Sequence, residues 1–200
     1  MVPATPDSFG TLPGVSAAEV RPASPSDAAE IARIQRIAWR EAYTDLLGAE
    51  AIDSLDAADL EGTWAETIGY PASAVYLATE GSFTVGYCVA GPAPEDEAAA
   101  ADGSLPTDAG ATGLIASLVV EPRWGRRGHA GRLLATAADG LRAQGLSRGI
   151  TWVAQSDHAT LGFYRRAGWA PDGTVRTLDT GRGTLREVRL TGTLELELTR

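Results

Sequence analysis

Trp124-Gly125-Arg126-Arg127-Gly128-His129-Ala130-Gly131-Arg132-Leu133-Leu134 crowds three glycines and three arginines between an apolar run and a helical pattern. The run at 114–120, LIASLVV, reads as a buried strand, and Glu121-Pro122 turns it. Downstream, Ala130, Leu133, Leu134, Ala137, Ala138 and Leu141 repeat at helical spacing, and Gly145 ends the helix. The first N–H groups of such a helix lack intrahelical partners, and its macrodipole is positive there. Strand, glycine loop and helix start together make an anion site. Gly128 and Gly131 let a diphosphate approach the backbone, Ala130 is nearly as small, and Arg126 and Arg127 can add charge-assisted bonds.

Other cradles do not fit the spacing. A P-loop needs GxxxxGK[ST], but Gly125 and Gly131 are one residue too far apart, and Arg132-Leu133 follow. The dinucleotide GxGxxG is absent. GHAG resembles the GxxG clamp of single-strand nucleic-acid modules, but that clamp joins two helices, whereas a strand leads in here. The net charge of -9 also opposes a nucleic-acid partner.

Composition bounds the rest. Two hundred residues with 44% apolar content suffice for one domain with a core. The single cysteine, Cys88, lies in a strand pattern and reads as a small buried residue. No apolar run is long enough to span a bilayer. Residues 1–18 are rich in Pro, Gly and Ser without a basic residue or apolar stretch, so they read as a disordered leader rather than a secretory signal. A cytoplasmic protein with no membrane partner is expected. Residues 1–112 carry 18 acidic and 4 basic groups, residues 113–200 carry 8 and 13, and every basic residue is arginine. The C-terminal half therefore suits an anion, the N-terminal half a cation.

SPSD at 24–27 is a helix start: Ser24 caps, Pro25 fits the first turn, and Asp27 completes a capping box. The helix that follows places Ile31, Ile34, Ala38 and Ala42 on one face. Residues 50–69 read as helical, in one or two pieces. Strands at 75–79 and 83–90 form a hairpin, and 91–112 reads as a mobile acidic loop without structure. A strand at 150–154, a short helix at 158–167 stopped by Gly168, and two closing strands around 181–183 complete an α/β (α+β) domain at 19–194, with a tail at 195–200.

LVVEPRWGRRGHAGRLL resembles the acyl-CoA signature of the GCN5-related N-acetyltransferases, V-x-P followed by [Q/R]-x-x-G-x-[G/A], with Gly125 where that family has Gln or Arg. WVAQSDHATLGFYRRAGW resembles the family's later segment. Phe163-Tyr164 and Gly168-Trp169 match it, Asp157 stands at the usual Asn, and Thr160 at the usual Ala. VRPASPSDAAEIARIQRIAWREAY resembles its first strand and helix. The resemblance implies a central mixed, mostly antiparallel twisted sheet of about seven strands flanked by about four helices. It also implies acetyl-CoA as acyl donor, a primary amine acceptor (a small molecule or a peptide amine) and direct attack in a ternary complex. Dimers are common in the family, which leaves a homodimer open.

The resemblance further implies roles for individual residues. The backbone of Leu118, Val119 and Val120 would pair with the pantetheine arm, and an N–H at Val119 or Val120 would donate to the thioester carbonyl. Arg126, Arg127, Gly128, His129, Ala130, Gly131 and Arg132 would surround the diphosphate, with His129 facing cofactor or solvent. Tyr164 would protonate the departing thiolate, against the alternative of a plain core aromatic. Asp157 would bond a pantetheine amide, cap its helix, or both. Trp39 and Tyr43 would line the acceptor side, with Trp39 equally readable as core. Many relatives carry a Glu as general base where this chain has Leu114, so the base stays open among Glu41, Tyr43, Ser117 through water, and water alone. His129, His158 and Cys88 form no metal pattern, and no metal is expected. A coenzyme A-binding sensor without catalysis, and a transferase of another acyl group, remain the competing readings.

Overall fold

The computed structural model describes residues 18–48, 53, 59–181 and 183–196. In chain order the strands are β1 (Ala18–Pro22), β2 (Ala74–Glu80), β3 (Phe83–Pro92), β4 (Thr112–Val120), β5 (Arg148–Ala154), β6 (Ala170–Asp179) and β7 (Thr184–Thr193). The helices are α1 (Ala28–Leu47), α2 (Leu60–Gly69), a single turn α3 (Glu95–Ala98), α4 (His129–Ala143) and α5 (His158–Arg166). All seven strands form one sheet in the order β1-β2-β3-β4-β5-β7-β6. Only β4 and β5 run parallel; the other neighbours are antiparallel. This is the mixed, mostly antiparallel sheet expected from the sequence.

The parallel pair is short. Thr112, Gly113 and Leu114 face Arg148, Gly149 and Ile150, and there the pairing stops. Beyond it β4 keeps β3 on one edge as far as Gly86↔Val120, while β5 stays with β7. The Thr151 hydroxyl donates to the Ile115 carbonyl at 2.9 Å and closes the base of this fork. Across from Val89 and Ala90, β4 inserts Ala116 as a bulge, which is exposed. Bulges re-aim strand groups beside functional sites.

A core lies on each face. On one, Leu133, Leu134, Ala137, Ala138 and Leu141 of α4 meet Cys88, Ile115, Val153 and Leu190 of the sheet. These are the helix positions expected to be apolar, except that Ala130 is only partly buried and lines a cleft. On the other face, Ile31 and Ile34 of α1 and Trp64 of α2 pack on Val75, Leu77, Tyr87 and Val89. The apolar stripe of α1 is buried through Ile34, whereas Ala42 is exposed. At the start of α1, Asp27 accepts the Ser24 N–H at 2.8 Å, as the capping box requires. Burial raises the Cys88 thiol to about 12, in keeping with an inert core residue.

Residues 91–112 correct the expectation of a structureless loop. They contain α3 and a 3-10 turn at Ala109–Ala111. Arg189 donates to the carbonyls of Glu97 and Ala99, both at 2.6 Å, Arg176 reaches Glu97 at 3.2 Å, and Arg148 binds Asp108 at 2.7 Å. The Trp152 indole also donates to Glu97. Glu97 and Asp108 thus have partners on β5 and β6, and the backbone of the segment is held from β7, all far along the chain and invisible to local composition. Residues 1–17, with most of the expected leader, and 49–52 and 54–58, part of the expected 50–69 helix, lie outside the described residues, as do 197–200. Past β7, Leu194 is buried and Leu196 packs against the core.

Trp169 locks the sheet behind the fork. Gly149 and Gly192 are direct partners on β5 and β7, and a Cβ on either would come within 2.3 Å of the Trp169 indole. The indole N–H donates to the Thr193 carbonyl at 3.2 Å. Gly192→Ala is expected to cost about 1–3 kcal/mol by overpacking, read as a lowered Tm. Combining it with Trp169→Leu should cost less than the sum of the two single changes; strict additivity would show that the contact is not the cause.

Candidate active site

The glycine stretch leaves β4 through a 3-10 turn, Pro122–Trp124. Glu121, 3% exposed, anchors that exit. Its N–H donates to the Val85 carbonyl at 2.8 Å, and its carboxylate takes Arg33 of α1 at 2.8 Å together with Arg123. Two left-handed residues then turn the chain into α4: Arg126 at φ 62° and Gly128 at φ 81°. The conformation is natural for glycine but costs an arginine about 1–2 kcal/mol, the kind of strain that collects at functional sites. The first helical bond of α4 runs from Arg132 N–H to Gly128 C=O at 3.1 Å. The amides of His129, Ala130 and Gly131 precede it and are available to an anion.

Those groups open on a cleft of about 1120 Å³. From β4 and the loop it is lined by Val120, Trp124, Gly125, Arg126 and Gly128; from α4 by His129, Ala130, Gly131, Arg132 and Ala135; from α5 by Phe163, Arg166 and Ala167. A Cβ on Gly131 would meet nothing within 4 Å, so the backbone there faces open space. Arg132 folds back over the helix start and donates to the Arg127 carbonyl at 3.0 Å.

Two of the expected side chains are held by the protein itself. Arg127 is not on the cleft wall: it pairs with Glu80 at 3.0 Å and stacks on Trp124 at 4.8 Å. His129 lines the cleft but does not face solvent. It is 1% exposed, and its Nε2 bonds Glu80 at 2.8 Å. Its Nδ1 and the Trp124 Nε1 are buried without a hydrogen-bond partner among the described residues. Glu80, read from sequence only as part of a hairpin turn, therefore braces the loop from β2.

Tyr164 is 2% exposed, between Phe163 and Trp169 at ring distances of 5.1 and 5.3 Å. Its hydroxyl neighbours Thr151, which holds the Ile115 carbonyl, so the phenol sits beside the base of the fork. Burial, then the neighbouring Cys88, push its pKa above the ordinary tyrosine value, and Thr151 partly offsets them. It remains a neutral donor at working pH. The cleft wall on the same helix is instead Phe163, Arg166 and Ala167; their i, i+3, i+4 spacing was the available signal for a shared face. Asp157 caps α5, accepting the Thr160 N–H at 3.0 Å. Leu118 points into the α4–α5 core and Val119 into the α1–α2 core, while Val120 reaches the cleft.

The opposite side of the fork gathers hydroxyls and acids. Trp39 and Tyr43 meet edge to face at 6.1 Å. Burial raises the Tyr43 pKa, and the charges of Glu187 and Asp157 raise it further. Burial raises Tyr87 to about 12, the neighbouring Ser117 offsetting part of the rise, and it also senses Tyr43. Glu41 is exposed on α1, in a groove with Arg33, Arg36 and Arg40. His158 is exposed at the start of α5. Among the described residues no group of three or more His, Cys, Asp or Glu is placed to hold a metal, and no helix is long and apolar enough to cross a membrane.

A forked mixed sheet with a glycine-rich loop and a helix start at one lip defines a class of fold, and comparison with known proteins gives its family. Residues 29–169 match the family model described as Acetyltransferase (GNAT) family, and the chain belongs to that family. Among solved structures it is similar to the PaiA N-acetyltransferase of Thermoplasma acidophilum in complex with coenzyme A: 15% identity over 88% of this chain and 99% of that one, TM-score 0.68. YncA of Salmonella typhimurium, a putative acetyltransferase with its cofactor acetyl-CoA, aligns at 17% identity over 89% and 94% of the chains, TM-score 0.65. The ribosomal-protein-alanine N-acetyltransferase of Brucella melitensis aligns at 17% identity over 88% and 99%, TM-score 0.67. No curated protein sequence gives a significant match.

The left-handed arginine offers a direct check on the loop. Arg126→Gly removes the backbone penalty and is expected to raise stability by about 1 kcal/mol while weakening anion binding in the cleft. A loss of stability would show that the Arg126 side chain holds the loop together.

Proposed function

We propose that this chain is an acetyl-CoA-dependent N-acetyltransferase that moves the acetyl group to a primary amine by direct attack in a ternary complex. The observation that carries the reading is the cleft in which unpartnered α4 amides, a glycine-lined backbone and arginines converge beside the fork. Bound acetyl-CoA would supply a thioester whose acyl carbon is open to an amine. The residues present fit such a ligand. Amides of His129, Ala130 and Gly131 hold the diphosphate, with Arg126 and Arg132 adding charge. The β4 edge from 115 onward, unpaired by β5, offers main-chain partners to the pantetheine arm at Leu118 to Val120.

An N–H at Val119 or Val120 stabilises the charge that grows on the thioester oxygen, a contribution of ~3 kcal/mol for such donors. Tyr164, buried and neutral beside the base of the fork, returns a proton to sulfur. The amine enters from the α1 side, past Trp39 and Tyr43, where Glu187 and Asp157 favour an acceptor that carries positive charge. It must lose a proton before it attacks, and Ser117 and Tyr43 are the hydroxyls beside that path.

Thiol release from acetyl-CoA with a panel of primary amines tests the reading. Tyr164→Phe, which leaves the core packing intact, is expected to lower kcat by roughly 10²-fold or more. In the wild type, kcat should rise with pH as the amine deprotonates. The raised phenol pKa keeps Tyr164 protonated past its unfolded value of about 10, so no falling limb from Tyr164 is expected below that. An unchanged rate in the phenylalanine variant removes Tyr164 from the chemistry. Tight coenzyme A binding without thiol release for any amine would make the chain a binding module instead.

A further inference from the structure

Glu80 closes β2 with its backbone paired on both sides, to Ala18 of β1 and Phe83 of β3. From that fixed point its carboxylate spans the left-handed Gly128. Oε1 accepts from Arg127 Nη1 at 3.0 Å, and Oε2 bonds His129 Nε2 at 2.8 Å. One carboxylate thus grips the residue before the glycine and the residue after it. Both partners are confined. His129 is 1% exposed, and the Arg127 guanidinium lies 4.8 Å from the Trp124 ring, which Phe83 flanks at 5.6 Å. Glu80 itself is not on the cleft wall.

The charge has the wrong sign for a group that serves an anion. A carboxylate beside an anion site repels the ligand, and this one also occupies two donors that would otherwise attract it. On charge alone the chain would bind a diphosphate better without Glu80. What the carboxylate supplies is geometry. His129 is the first residue of α4, so the direction of its N–H and those of Ala130 and Gly131 follows from the backbone angles at Gly128, which has no side chain to hold it. Arg126, also left-handed, stores strain on the other side of Arg127 that a loose loop would release. We propose that Glu80 is a positioning residue of the donor site. Through Arg127 and His129 it holds the loop in its anion-binding form, and so sets the affinity for coenzyme A without touching it. This rests on the donor-site reading above and gives a role in it to a strand end remote in sequence from the glycine stretch.

Calorimetric titration of the full chain with coenzyme A tests the proposal by the sign of the change. Glu80→Ala is expected to weaken binding roughly tenfold, the size of one charge-assisted hydrogen bond, whereas loss of a repelling charge alone would tighten it. Glu80→Gln, with one acceptor oxygen for two donors, should fall between Glu80→Ala and the wild type. In turnover, KM for acetyl-CoA should rise with Kd, while kcat at saturating acetyl-CoA and KM for the amine stay near their wild-type values. Arg127→Met should weaken binding in the wild type and add little in Glu80→Ala, because it acts through the same carboxylate. Tighter or unchanged binding in Glu80→Ala overturns the proposal, and a lowered Tm with unchanged Kd makes Glu80 a brace of the fold alone. Equal loss from Arg127→Met in both backgrounds would put Arg127 on the ligand and overturns it too. Where Glu80→Ala does not fold, unchanged binding in both Glu80→Gln and Arg127→Met has the same force. No binding of coenzyme A by the wild type overturns the donor-site reading as well.

Discussion

Strand β4 loses its parallel neighbour after Leu114, and the arrangement of the site follows from that parting. Backbone N–H and C=O groups demand partners, so a strand edge left open within a sheet is a place for something to add. The fork is held at its base by Thr151 on the Ile115 carbonyl, with Tyr164 beside Thr151. Behind it, Trp169 lies against the paired Gly149 and Gly192, where any side chain would collide with the indole. The Gly168-Trp169 pair is therefore structural support for the fork, with Gly168 at φ 84° ending α5. Tyr164 joins that support to the site.

The loop at the lip of the fork is braced from several elements. Glu121 ties its beginning to Arg33 on α1, and Glu80 at the end of β2 holds both Arg127 and His129. These bonds consume one of the arginines expected to meet the ligand and bury the histidine. In exchange they fix the first turn of α4, whose amides need no side chain to attract an anion. Charge follows the same division. Among the described residues no acid lines the cleft at the α4 start, while Glu187 and Asp157 act on Tyr43 on the other side of the fork.

Much of this was legible in the sequence because it is local. The strand, glycine loop and helix at 114–143, the apolar stripe of α4, the capping box at Ser24 and the stop at Gly168 each follow from residues a few positions apart. Asp157 as a cap is local in the same way. What escaped depends on contacts distant in sequence. Residues 91–112 look unstructured until Arg148, Arg176 and Arg189 are brought over them by β5, β6 and β7. The turn from Arg127 toward Glu80 and the burial of His129 come from β2, some fifty positions upstream. Phe163 and Arg166 share a face of α5, but nothing local in the sequence says that this face, and not that of Tyr164, turns to the cleft.

In the proposed complex one coenzyme A molecule lies along the open β4 edge with its diphosphate on the α4 start. Amide hydrogen exchange, measured with and without saturating coenzyme A, tests this position most directly. New protection is expected at residues 118–120 and 129–131, with little change along α1. Protection confined to α1, or none at either segment despite binding, would contradict it.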